Sequence, residues 1–211
     1  ETIFATLTLN HAYENFDGYL KAYRNDTTFE LVQELTNGVR YGGGSGGLTA
    51  RQEIGLYGIR GREALRLWKG GEVLLGVDLD MTDLKNTERT YTGIAVPGVN
   101  GGLTRRVWDY PDTQLFSPYL AINHRFGRPE GLHITPSAGV RYFNHDRFED
   151  ELAPQAGVVM GYGQTNLSLS YSRGVNYPTP VVLTNMVLTS APVSDPSQYW
   201  RTIKPEVVDH Y

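Results

Sequence analysis

Arg105, Arg106, Trp108, Asp109 and Tyr110 put two guanidinium groups, two aromatic rings and a carboxylate within six residues. Guanidinium forks pair with carboxylates and phosphates, and aromatic faces attract cations, so Arg105, Arg106, Trp108 and Tyr110 form a candidate ligand-binding cluster for an anionic small molecule. The commoner use of such a composition is at a membrane interface, where Trp and Tyr lie at headgroup depth and arginines meet lipid phosphates. Asp78, Asp80 and Asp83 resemble half of a calcium loop, but the glycine and distal glutamate of such a loop are missing. His145 beside Asp146, Glu149, Asp150 and Glu151 could hold a cation, although a solvated acidic loop is the more frequent outcome. His11, His124, His133 and His210 have no ligand spacing, Ser168, Ser170 and Ser172 have no base near them in sequence, and no glycine motif cradles a phosphate. The expectation is therefore no enzyme, with no catalytic residue, no metal site and no cofactor.

The elements that would carry these residues are strands. Leu152, Pro154, Ala156, Val158, Met160 and Tyr162 share one parity, and after a turn at Gly163-Gln164 Leu167, Leu169 and Tyr171 alternate with Asn166, Ser168, Ser170 and Ser172. Successive strand side chains point to opposite faces, so this is a hairpin with one greasy and one wet face. The 211 residues suffice for one large β domain; cysteine is absent, which excludes disulfides and thiolate metal sites. A formal charge of -4 gives no case for nucleic acid as a partner. No apolar run is long enough for a membrane helix, but a membrane strand needs only about 9 to 11 residues with every second one apolar. The start at Glu1, without signal peptide or initiator Met, suggests a processed or excised piece.

In chain order, Ile3, Ala5, Leu7 and Leu9 alternate with polar neighbours, and a second strand is expected from Gly18 to about Leu31. Thr36 to Leu48, with its G-G-G-S-G-G run, reads as a loop. The second pair is about Thr49–Leu67 and Glu72–Thr82, with a bulge expected near Gly58 to Gly61, where the parity of the outgoing arm changes. About thirty residues of loop, Asp83 to Gln114, should follow. The third pair is Phe116–Phe126 and Leu132–Tyr142, then a polar stretch to Glu151, the hairpin already described, a Pro/Thr/Ser-rich stretch from Gly174 to about Ile203, and a last strand beginning at Val207. Connections among about eight strands thus alternate short and long. In an up-and-down meander that places every tight turn at one rim and every long loop at the other, the asymmetry of an outer-membrane barrel. Aromatics flank the tight turns (Tyr13, Phe16, Trp68, Phe126, Tyr162), with Trp68 on the wrong parity if the bulge lies where expected.

The run A-P-Q-A-G-V-V-M-G-Y-G-Q-T-N-L-S-L-S-Y-S-R-G-V-N-Y-P, followed by Ile203-Lys204-Pro205-Glu206-Val207-Val208-Asp209-His210-Tyr211, resembles the barrel of TonB-dependent outer-membrane receptors. The match covers Leu152 to Tyr211; upstream only the pattern agrees, together with G-V-D-L-D after Trp68-Lys69-Gly70-Gly71. The resemblance implies an all-β, antiparallel up-and-down transmembrane β-barrel of which residues 1–211 supply about eight strands, the whole being of the 22-stranded, plugged type. It implies a transport receptor of the Gram-negative cell outer membrane that takes up a siderophore-like or other scarce nutrient. Its partners would be membrane lipid, a plug domain and the remaining strands of the same receptor, TonB acting through that plug, and a small-molecule ligand. Bare strand edges are not tolerated in lipid, so the expectation is a middle portion of a longer barrel. Two alternatives remain: a soluble β-sandwich carbohydrate-binding module, with Trp108 and Tyr110 stacking on sugars, and a porin without energy coupling.

Overall fold

Alternation of apolar and polar residues, glycine-marked turns and no helical periodicity dictate strands, and strands are what form. A computed structural model describes residues 1–35, 46–92, 104–106, 112–128, 130–179 and 203–211. The elements are β1 (Thr2–Ala12), β2 (Phe16–Leu35), β3 (Gly46–Trp68), β4 (Gly71–Thr92), β5 (Thr104–Arg106), β6 (Thr113–His124), β7 (Phe126–Gly127), β8 (His133–His145), β9 (Glu151–Tyr162), β10 (Thr165–Asn176) and β11 (Glu206–His210). They form one antiparallel sheet in the order β1-β2-β3-β4-β6-β8-β9-β10-β11, with short β5 on β4 and short β7 on β8. Every main strand pairs with its neighbour in sequence, an up-and-down meander. Among the described residues β1 and β11 are its two edges and do not pair with each other.

The register decides which side chains share a face. Leu7 and Leu9 of β1 oppose Ala22 and Leu20 of β2, which oppose Ile59 and Gly61 of β3. Ile59 continues to Leu79, Val77 to Pro118, Val73 to Ile122, Ile122 to Ala138, Ala138 to Ala156 and Ala156 to Tyr171. The apolar rows of these eight strands thus fall on one face, and Val207 of β11, opposite Val175, extends them to a ninth. No second sheet packs on it among the described residues: Leu7 is 65% exposed, Leu169 62% and Val77 38%. Among the described residues the buried apolar ones are few, Ala64, Leu84, Phe148 and Ala153. A sandwich, in which Val77, Val158 and Leu169 would meet in a dry interior, is not what these strands build.

Three expectations need correction. Pairing of β3 with β4 runs without interruption through Gly58 to Gly61; the register shifts lie between Arg51 and Glu53 and between Leu65 and Trp68. The second shift sets Arg66 and Leu67 of β3 against Glu72 alone, so parity flips just before the turn. Arg66 stays on the polar face, paired with Asp17 and 4.0 Å from Glu72, while Trp68 swings to the apolar face opposite Gly71. The misfit of Trp68 therefore reflects a misplaced bulge. The strands are also longer than periodicity indicates. β4 continues through Asp83 to Thr92 and β5 returns along it, so Asp83–Gln114 is not one structureless loop, and Gly46 to Leu48 belong to β3. Finally, the connection from β8 to β9 is only residues 146–150, shorter than the alternation of short and long required.

At the rim carrying the turns 13–15, 69–70 and 163–164 and residues 130–132, aromatic rings gather. Tyr13 and Phe16 lie 4.7 Å apart beside His11, and Trp68 Nε1–H donates to His124 Nδ1 at 2.8 Å. His124 meets the edge of Phe126 at 4.3 Å, and Tyr162 is 72% exposed. Toward the opposite rim the apolar face carries Tyr57, Tyr142 and Tyr171, with the ion pairs Arg24–Asp26 (2.6 Å) and Arg173–Asp209 (2.9 Å) beside them.

Candidate functional site

The cluster singled out in the sequence is only partly placed. Arg105 and Arg106 lie in β5, in register with Arg89 and Glu88 of β4. Trp108 and Tyr110, with Asp109, fall outside the described residues.

A denser constellation lies on the polar face. Three successive rows cross the strands there. The first is Tyr19, Arg62, Gly76, Tyr119 and Arg141; the second is Lys21, Arg60, Asp78 and Ser117; the third is Tyr23, Gly58, Asp80 and Leu115. Alternation puts all of these on one face, and glycine makes room for rings to lie flat. A Cβ on Gly76 would run into the Tyr119 ring, and one on Gly58 would stand 2.9 Å from the Tyr23 hydroxyl.

The charges interlock across strands. Arg141 of β8 reaches across β6 to pair with Asp78 of β4, whose side chain is 12% exposed. Its guanidinium sits 5.3 Å from the Tyr119 ring centre and 5.0 Å from that of Phe143. Asp80 takes a hydrogen bond from the Tyr23 hydroxyl and another from Arg60 at 3.4 Å, with the Arg60 guanidinium 5.1 Å over the Tyr23 ring. Among the described residues Arg141 Nε and the fully buried Ser117 Oγ have no hydrogen-bond partner, and no carboxylate pairs with Lys21 or Arg62. Four cations, Lys21, Arg60, Arg62 and Arg141, therefore face two carboxylates, both already engaged. The stretch is a cationic, tyrosine-lined wall, which suits contact with an anionic group.

The three aspartates of the partial calcium loop do not share a face. Asp78 and Asp80 are committed to arginines, and Asp83 points to the opposite face, against Gly55. Among the described residues no group of three His, Cys, Asp or Glu side chains could hold a metal ion. The serine row of β10 is exposed on the polar face, opposite Gly157 and Val159 of β9. His145 does not stand at an open loop tip: its side chain is 7% exposed.

Sequence reasoning missed Arg141, Tyr119, Tyr23 and Arg60. Alternation alone could have put them on the wet face. What it could not supply is the register, which brings β8 to within a side chain's length of β4. One consequence is testable. Gly76→Ala is expected to push the Tyr119 ring off its neighbours at a cost of about 1 to 3 kcal/mol, the usual range for overpacking, measured as a shift in urea midpoint without a change in slope.

No protein-family model matches the sequence, and no curated protein matches it.

Proposed function

We propose that this sheet is part of the wall of a transmembrane β-barrel in the Gram-negative outer membrane, and that the barrel is a transport receptor of the TonB-dependent kind, not an enzyme. The observation that carries the reading is the single uncovered apolar face running across nine strands, bounded by aromatic rings at both rims. From Val73 to Met81 the apolar row of β4 covers eight residue steps, about 27 Å of strand. Tilted by roughly 40°, that gives about 21 Å of height, close to the apolar band of outer-membrane barrels. The polar face would line the lumen, and the open edges of β1 and β11 would pair with further strands, because unpaired backbone groups are not tolerated in hydrocarbon.

On this reading the Arg and Tyr wall around Asp78 and Asp80 lies in the path of an anionic nutrient such as a siderophore. A plug domain and TonB would supply capture and release. The sequence resemblance over Leu152 to Tyr211 points to this family; the uncovered face supports the membrane part of it.

Two measurements test the proposal. Cells expressing the protein should accumulate an iron chelate in a TonB-dependent manner, whereas accumulation that persists without TonB would make the protein a porin. In lipid vesicles, phospholipids brominated along the acyl chain should quench Trp68, which lies on the apolar face at the short-turn rim. A chain that stays monodisperse without detergent, with Trp68 unquenched, would defeat the membrane assignment.

A further inference from the structure

The connection between β8 and β9 does not extend away from the sheet. Phe148, 8% exposed, packs with Leu84 of β4, and Ile54 of β3, Tyr177 and Ile203 close around them. By register Ile54 and Leu84 belong to the polar face, so the connection 146–150 turns Phe148 back across β6 onto that face, while Asp150 accepts hydrogen bonds from Tyr142 and Asn144 of β8. The connection is fixed at several further points. Asp146 N–H donates to Gln114 O at 3.0 Å, and Gln114 N–H donates to Asp146 Oδ1 at 2.9 Å. Tyr177 Oη–H donates to Glu149 O at 3.0 Å, and Lys204 Nζ lies 3.2 Å from Glu149.

His145 is the hinge residue of this strap. Its ring lies 4.7 Å from both Phe148 and Tyr177, and its Nδ1 accepts the Arg147 backbone N–H at 3.1 Å. From this geometry we infer that residues 146–150 are a proton-operated strap: closed over the polar face while His145 is neutral, and released as a unit when His145 is protonated. An imidazolium carries N–H on both nitrogens, so protonation removes the acceptor for Arg147 and leaves a charge on a ring whose side chain is 7% exposed.

The surrounding groups pull in both directions. Asp146, with Oδ1 3.3 Å from Nδ1, and Asp150 favour the charged ring, while Arg147 opposes it. Glu149 is engaged with Lys204, Tyr177 is a half-buried phenol held up to about 12, and β3 and β4 contribute the apolar Ile54 and Leu84. Burial outweighs the carboxylates and holds His145 below the usual histidine range. The open strap therefore binds the proton more tightly than the closed one. Closure is fully stable above the ordinary histidine value and weakens as pH falls from there toward the lower value of the closed form. Asp150 is held below the carboxylate range by hydrogen bonds from Tyr142 and Asn144, so its contribution is lost in the same direction at lower pH.

The strap is defined by contacts within the chain, so the inference stands or falls apart from the transport reading. Hydrogen exchange of residues 146–150 in the full chain, held in detergent micelles, is the test. Protection is expected at about pH 7.5 and should be lost at about pH 5, after correction for the intrinsic exchange rate. Phe148→Ala should lower protection about a hundredfold or more at the higher pH and give the signature of the open strap. His145→Gln should abolish the pH dependence. If that variant is open at every pH, the NMR titration of His145 in the native chain decides, and it must fall below the ordinary histidine range. Equal protection of the native chain at both pH values, pH dependence that survives His145→Gln, or a His145 titration at or above the ordinary range would overturn the proposal.

Discussion

Leu169→Arg is expected to destroy insertion of the folded sheet into bilayers, whereas Ser170→Arg, one residue on, should leave it nearly unchanged. Leu169 opposes Val158 within the apolar row and is 62% exposed, with no protein over it among the described residues. If hydrocarbon covers that row, a guanidinium at mid-depth costs about 2 to 4 kcal/mol. Ser170 opposes Gly157 on the other face, where small side chains leave space for an arginine in water. The readout is the urea midpoint of the full chain refolded into lipid vesicles, with band shift on unheated gels as a second measure of folding. In a soluble sheet packed on a second layer the same pair of variants would not separate in this way, because both faces would have to be judged against protein contacts.

The second large effect concerns the ion pair across β6. Arg141→Met leaves Asp78, 12% exposed, without its cation and removes a guanidinium from between two rings. Breaking a fully buried pair costs about 3 to 5 kcal/mol, and a surface pair contributes about 0 to 1. Arg141 is 35% exposed, so solvent screening sets the expectation between these limits, at about 2 kcal/mol. Adding Asp78→Asn to Arg141→Met should recover part of that loss, since the stranded charge is then gone. A double-mutant cycle showing coupling below about 0.5 kcal/mol would mean that the pair is only a surface contact. On the transport reading, Arg141→Met should also weaken uptake of an anionic nutrient.

How much of this was legible in the sequence follows from what fixes each feature. The hairpin 152–173 was plain because its alternation is strict and Gly163-Gln164 leaves a two-residue turn, Tyr162 opposing Thr165. The bulge was misplaced because one extra residue changes parity wherever it falls between two anchored positions. Gly58 and Gly61 attracted it, although both sit in regular pairs, and Arg66-Leu67 took it. The far ends of β2, β3 and β4 were hidden because Thr, Glu, Arg and Lys replace the apolar row there. Pairing continues on backbone hydrogen bonds after periodicity has stopped. Of the candidate ligand residues, Arg105 and Arg106 could be placed on β5, but nothing local in sequence relates Arg141 to Asp78. Their partnership depends on the register of three strands. The connection 146–150 was half legible for a related reason: Asp146, Glu149 and Asp150 are exposed, as a solvated acidic loop should be. F-N-H-D-R-F-E-D-E is mostly charged and looks solvated, and only the third dimension shows Phe148 turned down onto Leu84.

The claim on which the rest depends is that one face of this sheet meets hydrocarbon and the other water. The chain contains no cysteine, so each introduced one can be labelled alone. Spin labels placed singly from position 166 to 170 along β10, in lipid vesicles, report oxygen and water-soluble nickel contact residue by residue. The account predicts strict alternation, with 167 and 169 open to oxygen and shielded from nickel, and 166, 168 and 170 the reverse. Equal access to nickel at all five positions would contradict it.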